Sequence, residues 1–300
     1  MRPLTETIPK PLIPLVDRPF LDHVFDHLAR YGAHEVILSS PYLEEAFSAF
    51  IDARRGDPRI TWITEPTALG TGGAIANAAR SLQGTFLALN GDILTDLDLS
   101  ALAAFHEGRN ASATIALTVV EDARPFGLVD LDAEGRVQAF REKPADPVRG
   151  MVNAGTYMLE AEALRDVPAD RPVSIEREIF PALIASGVPV FGFVSEAYWI
   201  DLGTPEKYLQ ATFDVLEGRL DGLRYAAPYV DPTAEVSLLA KLGRWVVLGP
   251  GVKVDEEAEI EDAVVLAGAS VGRAARIRDS IIGPKVRVAP DALIEGSVLV

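Results

Sequence analysis

The feature that most constrains this chain is a double row of aliphatic and small residues in its last quarter. Leu248, Val254, Ile260 and Leu266 recur every six positions, the row resumes after a five-residue step at Val271 and Ile277, and it resumes again at Ile282, Val288, Ile294 and Val300. A second row keeps the same phase two residues earlier, through Val246, Val252, Ala258, Val264, Ala269, Ala275, Ser280, Val286, Ala292 and Val298. A helix repeats every 3.6 residues and a half-buried strand every two, so neither holds a period of six for so long. Short strands joined by tight corners do hold it, with both rows turned inward. The segment is therefore expected to be a left-handed parallel β-helix of hexapeptide repeats with roughly three coils. Such a solenoid commonly serves as a self-association surface, and a homo-oligomer through the β-helix is expected.

Ahead of the repeat, short apolar runs alternate with amphipathic stretches. Glu35–Ser40, 60–65, 85–92 and 113–121 read as buried strands, and 18–31, 42–55, 72–82 and 99–107 read as helices that stop at or before glycine. Strand, helix, strand at this spacing implies a Rossmann-like, mainly parallel sheet of the α/β class, with ligands at the carboxyl ends of the strands. From about Gly127 the segments shorten, with a hairpin signal at Ala133-Glu134-Gly135 and a helix capped by Ser174. The expected division is an α/β domain over 1–225 and a linker with the β-helix over 226–300.

The charge balance, 28 basic against 44 acidic residues for a net −16, argues against a nucleic-acid partner that needs a broad basic face. No cysteine is present, which excludes thiol catalysis, thiolate-bound zinc and disulfides. Neither an apolar run long enough to span a membrane nor a signal peptide is evident, so a cytoplasmic protein with no membrane partner is expected.

Several motif matches dissolve on context. Gly268-Ala269-Ser270-Val271-Gly272 has the form of a nucleophile elbow but lies inside the six-residue repeat, and all four histidines (23, 27, 34 and 106) precede it. His23 and His27 sit i, i+4 on a helix without the glutamate a zinc protease needs, so an ordinary amphipathic helix is the better reading. What remains is a set of polar residues at strand ends. Asp92 and Asp201 each follow an apolar strand beside a glycine, and two such carboxylates suit a Mg²⁺ carried in by a triphosphate. Lys10 and Lys143 are each followed by proline, which fixes the backbone and aims a point charge at phosphate.

These residues stand in a recognisable order. Arg2-Pro3-Leu4-Thr5, Lys10-Pro11-Leu12-Ile13-Pro14, Glu65 with Leu69-Gly70-Thr71-Gly72-Gly73, Asn90-Gly91-Asp92, Phe126-Gly127, Glu142-Lys143-Pro144, Asn153-Ala154-Gly155 and Trp199-Ile200-Asp201-Leu202-Gly203-Thr204-Pro205 resemble the signatures of the sugar-1-phosphate nucleotidyltransferases over nearly the whole chain. The segment 174–181, the stretch from Tyr198 to Asp201 and the appended β-helix are most similar to the mannose-1-phosphate guanylyltransferase branch. The resemblance implies nucleotidyl transfer from GTP to mannose-1-phosphate, giving the nucleotide sugar and pyrophosphate. The alternatives are a thymidylyl- or uridylyltransferase acting on glucose-1-phosphate and a catalytically inactive subunit that binds nucleotide sugar. It further implies that Asp92 and Asp201 hold the Mg²⁺, Lys143 orients the sugar phosphate and Lys10 neutralises the departing pyrophosphate. Gly70 would lie against the base, and Gly127, Glu142 and Asn153 would contact the sugar. Arg2, Glu65, Thr71 and Glu176 complete the expected substrate-binding set.

One departure from the family pattern is plain. Its members carry a strand and a glycine-rich loop directly before the Arg-Pro-Leu-Thr segment, and here Met1 precedes Arg2. Without that strand a parallel sheet has two unpaired edges, and without the loop the triphosphate loses backbone N–H donors. The expectations are a start placed downstream of the true one, and a 300-residue chain with impaired activity.

Overall fold

In the computed structural model, which describes residues 1–6, 8–40, 44–65, 67–141 and 143–300, contacts divide the chain into two units. Glu142, one of the expected sugar contacts, lies outside the described residues, as do the first residues of the helix expected from Tyr42. In chain order the elements used below are β1 (Pro14–Leu15), β2 (Arg18–Pro19), α1 (Phe20–Arg30), β3 (Glu35–Ser40), α2 (Glu44–Ala53), β4 (Arg59–Thr64) and α3 (Gly70–Ala79). There follow β5 (Thr85–Leu89), β6 (Ile93–Thr95), α4 (Leu99–Gly108), β7 (Ala113–Val120), β8 (Leu128–Leu131), β9 (Val137–Arg141) and β10 (Gly150–Glu160). A π-helical turn (Ile175–Ile179), α5 (Phe180–Ala185), β11 (Val190–Val194), β12 (Trp199–Asp201) and α6 (Pro205–Leu216) lead to the solenoid.

The first unit comprises Phe25–Ile93 and Leu97–Trp199. Its main sheet runs β11-β7-β10-β8-β9, with β5 on the second edge of β10. The α/β class is as expected, but the sheet is mixed rather than mainly parallel. Parallel pairs occur where a helix intervenes, as between β3 and β4 across α2, and between β7 and β11 after α5. Among the described residues from Ala113 to Glu160 no α-helix separates the strands, and short connections return a strand antiparallel to its neighbour, so β10 runs antiparallel to β7 and β8, and β8 to β9; β10 also pairs antiparallel with β5. The core on one face gathers Ile115, Leu117, Tyr157 and Leu159 against Ala76 and Ala79 of α3 and Phe180 of α5. On α4, buried Leu102 and His106 belong to the core, with His106 Nδ1 2.9 Å from Thr114 Oγ1. The pair β3–β4 stands apart. Among the described residues no strand pairs with the second edge of β3 or of β5, and Val36, Ile37 and Leu38 are left half-buried.

The second unit comprises Met1–Val24, Leu94–Asp96 and Ile200–Val300. A two-residue turn at Val16 and Asp17 joins β1 to β2, and Tyr225 donates to Asp17 Oδ1 at 2.7 Å. His23 is a core histidine whose Nε2 donates to the Leu15 carbonyl at 2.9 Å, so its spacing with His27 reflects burial. The solenoid is present, and its strands stack in parallel register. The position of its five-residue step differs from the reading above. Leu248 stacks on Val265, Val265 on Ile282 and Ile282 on Leu299. The inner rows therefore contain Val265 and Leu299 in place of Leu266 and Val300, and Ala263 in place of Val264. The five-residue sides 260–265 and 277–282 contain Asp262 and Asp279, each in the left-handed region with φ of 47° and 46°. Val247, Val264 and Ile281, which point out of the solenoid, are buried too; α6 packs over the strands of Val264 and Ile281, and Phe213 stacks on Trp245 at 5.9 Å.

Candidate active site

In the first unit the site is organised by a bulge in β10. Asn153 lies opposite Leu117 and Tyr157 opposite Ile115, so four steps along β10 answer two along β7. Gly155, in the middle, has a φ of 72°, and a Cβ on it would stand 2.8 Å from Asn90 Nδ2. Its N–H donates to Asn153 Oδ1 at 2.9 Å, and its carbonyl accepts from the Asn90 N–H at 2.8 Å. The bulge thereby clamps Asn90-Gly91-Asp92, the turn that carries the half-buried Asp92 past the end of β5.

Asn153 Nδ2 donates to Tyr157 Oη at 2.8 Å and to Glu176 Oε1 at 2.6 Å. Both amide hydrogens are thus committed within the protein, and Asn153 aims the exposed Glu176 carboxylate from the π-helical turn. Tyr157 is fully buried, and that burial pushes its phenol pKa well above the ordinary tyrosine value, against the opposing hydrogen bonds from Asn153 and Asn90. Sequence reasoning missed Tyr157 because an aromatic residue at an inward strand position reads as core. Its polar end shows only when the bulge brings Asn153 over it.

The glycine run at the start of α3, which holds the expected base contact Gly70, is seated on the segment around Val173. The N–H groups of Gly72 and Gly73 donate to the Val173 carbonyl at 2.9 and 3.2 Å, and the Val173 N–H donates to the Leu69 carbonyl at 2.7 Å. A Cβ on Gly70 would lie 2.8 Å from Val173 O, and one on Gly72 would lie 2.6 Å from Ile179 Cδ1. Thr71 Oγ1 accepts from the Ile175 N–H at 3.5 Å. These contacts seat the turn that holds Glu176. Glu65 is buried, taking the Ser39 hydroxyl on Oε1 and the Leu69 N–H on Oε2, each at 2.9 Å, so it fastens the entry to α3. Gly127 lies where a Cβ would meet the Arg141 carbonyl at 3.1 Å, and Lys143 is exposed beyond β9. Trp199 stands edge-on to Phe126 at 5.4 Å and donates through Nε1 to the Ala154 carbonyl in the bulge at 2.9 Å.

In the second unit Arg2 is exposed, and Lys10 opens a short 3-10 turn. The Met1 ammonium donates to the Gly203 carbonyl at 3.3 Å, and burial followed by the neighbouring Lys10 charge lowers its pKa. Asp201 closes β12. Its Oδ2 accepts from Lys207 Nζ at 2.6 Å, and its Oδ1 lies 2.7 Å from where a Cβ on Gly203 would stand. Thr204 caps α6 by accepting the Lys207 N–H at 3.3 Å. Lys207 was also missed, because nothing in its spacing separates it from an ordinary helix-surface lysine.

Residues 1–218 match the family described as nucleotidyl transferase, and residues 225–300 match the GMPPB C-terminal domain. The chain belongs to the nucleotidyl transferase family. A mannose-1-phosphate guanylyltransferase of Mycobacterium tuberculosis is 39% identical over 286 residues, covering 91% of this chain and 80% of that one. A mannose-1-phosphate guanyltransferase of Candida albicans is 32% identical, covering 99% of this chain and 86% of that one. Among solved structures, HddC from Yersinia pseudotuberculosis complexed with GMP-PN has a TM-score of 0.61 at 29% identity, over 71% of this chain and 92% of that one.

Nucleotidyltransferases of this family generally use a divalent metal. Among the described residues no group of three or more carboxylates or imidazoles converges to form a complete metal cage. Single carboxylates at the ends of β5 and β12 are the donor chemistry of a magnesium ion that keeps its waters and takes its other ligands from substrate phosphates. Asp92 in the first unit and Asp201 in the second each offer a carboxylate of that donor chemistry, which fits such an ion. No helix among the described residues is long and apolar enough to cross a membrane.

Proposed function

We propose that this nucleotidyltransferase moves a guanylyl group from GTP to mannose-1-phosphate. The observation that carries the reading is the mannose-1-phosphate guanylyltransferase likeness over 91% of the chain, at 39% identity. An oxygen of the sugar-1-phosphate attacks the α-phosphorus, the α–β anhydride bond breaks, and pyrophosphate leaves. No protein nucleophile is needed, so the chain's work is positioning and charge neutralisation. A bound Mg²⁺, held by Asp92 and Asp201, would supply charge stabilisation at the phosphates. Lys143 orients the sugar phosphate, while Lys10 and Arg2 neutralise the pyrophosphate. Glu176, aimed by Asn153, accepts from sugar hydroxyls, with Gly127 and Glu142 beside the same ring. Gly70 and Thr71 border the base, and Glu65 holds their segment in place. Residues 1–225 carry this chemistry, and 226–300, the linker and β-helix, join copies of the chain into a cytoplasmic homo-oligomer.

The test is pyrophosphate release measured for four nucleoside triphosphates crossed with mannose- and glucose-1-phosphate. GTP with mannose-1-phosphate should give the highest kcat/KM. A preference for dTTP or UTP with glucose-1-phosphate would overturn the assignment.

A further inference from the structure

Lys207 sits where a lysine does α6 no good. It lies in the first turn of a 12-residue helix, and a cation there opposes the helix dipole, whose N-terminal end is already positive. The acid that suits that end is Glu206, whose carboxyl is lowered by its hydrogen bond from Thr204. What Lys207 does have is Asp201, with Nζ 2.6 Å from Oδ2 and both side chains partly buried. The other carboxylate oxygen is folded over Gly203. Asp201 therefore has one oxygen on an ammonium and the other over a glycine that leaves it room, and its charge is already answered.

We propose that Lys207 is an internal cation competing with the divalent metal for Asp201, and so sets the metal affinity of the site. The proposal rests on the reading of Asp201 as a metal ligand. One carboxylate oxygen cannot hold both an ammonium at 2.6 Å and a dication, because the two positive charges would then stand within a few ångströms of each other. A metal on Oδ2 must break the pair, and a metal on Oδ1 meets the ammonium charge across a single carboxylate, so in either case Lys207 weakens metal binding. Lys207 is a positioning residue by this account. It keeps Asp201 ordered and neutralised until metal arrives.

The experiment is Mn²⁺ binding to the full chain, followed by the free-ion electron paramagnetic resonance signal, for the wild type, Lys207→Gln, Lys207→Arg and Asp201→Asn. Lys207→Gln should bind Mn²⁺ about fivefold more tightly, the size expected for losing one partly exposed ion pair. Lys207→Arg, which keeps the cation, should stay near the wild type. Asp201→Asn should lose the binding. A merely structural role for Lys207 would weaken the site when removed, so tighter binding is the diagnostic. If Lys207→Gln binds no more tightly than the wild type while Asp201→Asn loses binding, the competition is refuted and the metal reading stands. If Asp201→Asn binds like the wild type, the metal reading fails and the proposal with it.

Discussion

Tyr157 has a fully buried ring and a phenol that accepts from Asn153 and Asn90, so one atom ties the Asp92 turn to the residue that aims Glu176. Tyr157→Phe leaves those amide donors short of an acceptor in a buried place, at a cost of about 1–3 kcal/mol. The expected outcome is a melting temperature lower by several degrees and a severalfold higher KM for the sugar phosphate, with the KM for GTP little changed. Equal changes in both KM values would count against a role confined to the sugar side. Asp92→Asn keeps the shape of the turn and removes the charge proposed to ligate the metal. Its turnover should fall by ~10²-fold or more, with an unchanged circular dichroism spectrum. Asp92 and Asp201 stand out in the sequence as candidates because a carboxylate that follows a strand beside a glycine announces itself locally. Tyr157 and Lys207 were not, because each is defined by a partner that only folding supplies.

At the level of elements, the α3 glycines and the solenoid corners show what the chain's local rules can and cannot specify. The run Gly70-Thr71-Gly72-Gly73 was visible, but its partner was not, since Val173 lies 100 residues beyond Gly73 and reaches it only through the fold. Gly72→Ala would place a methyl group 2.6 Å from Ile179 Cδ1 and 2.9 Å from the Ile175 nitrogen. Overpacking of this kind costs about 1–3 kcal/mol, and it should also displace Glu176, so a raised sugar-phosphate KM should accompany the lower melting temperature. In the solenoid, Asp262 has its pKa raised by burial and then by Asp279 and Glu261. A carboxyl whose pKa is higher in the folded state than in the unfolded one binds more protons when folded, so its contribution to stability falls as pH rises from the ordinary aspartate range through the raised value. Asp262→Asn removes that penalty and suits the left-handed φ of 47°. It should raise the melting temperature at pH 7 by about one or two degrees, and the gain should vanish in scans run below the ordinary aspartate range.

Across the molecule, the weak places are the edges of β3 and β5. Parallel strands normally lie inside a sheet and are covered on both faces, yet Val36, Ile37 and Leu38 are half-buried, and among the described residues neither second edge is paired. An apolar unpaired edge is a template for another strand. The molar mass from light scattering of the purified protein should therefore rise with concentration, and Ile37→Lys, which puts a charge on that strand, should suppress the rise without changing the far-ultraviolet spectrum. Scattering unaffected by Ile37→Lys would place the association elsewhere.

The sequence by itself determined the β-helix, the α/β class and the nucleotidyltransferase signatures. These are periodic or local features, written in consecutive residues and set by backbone geometry. The tertiary structure decided the mixed sheet, the position of the five-residue step, the bulge that gives Asn153 to Glu176, and the pair between Lys207 and Asp201. Each depends on which distant segment comes to lie beside a given residue. That is fixed by packing and chain connection, which no local pattern encodes.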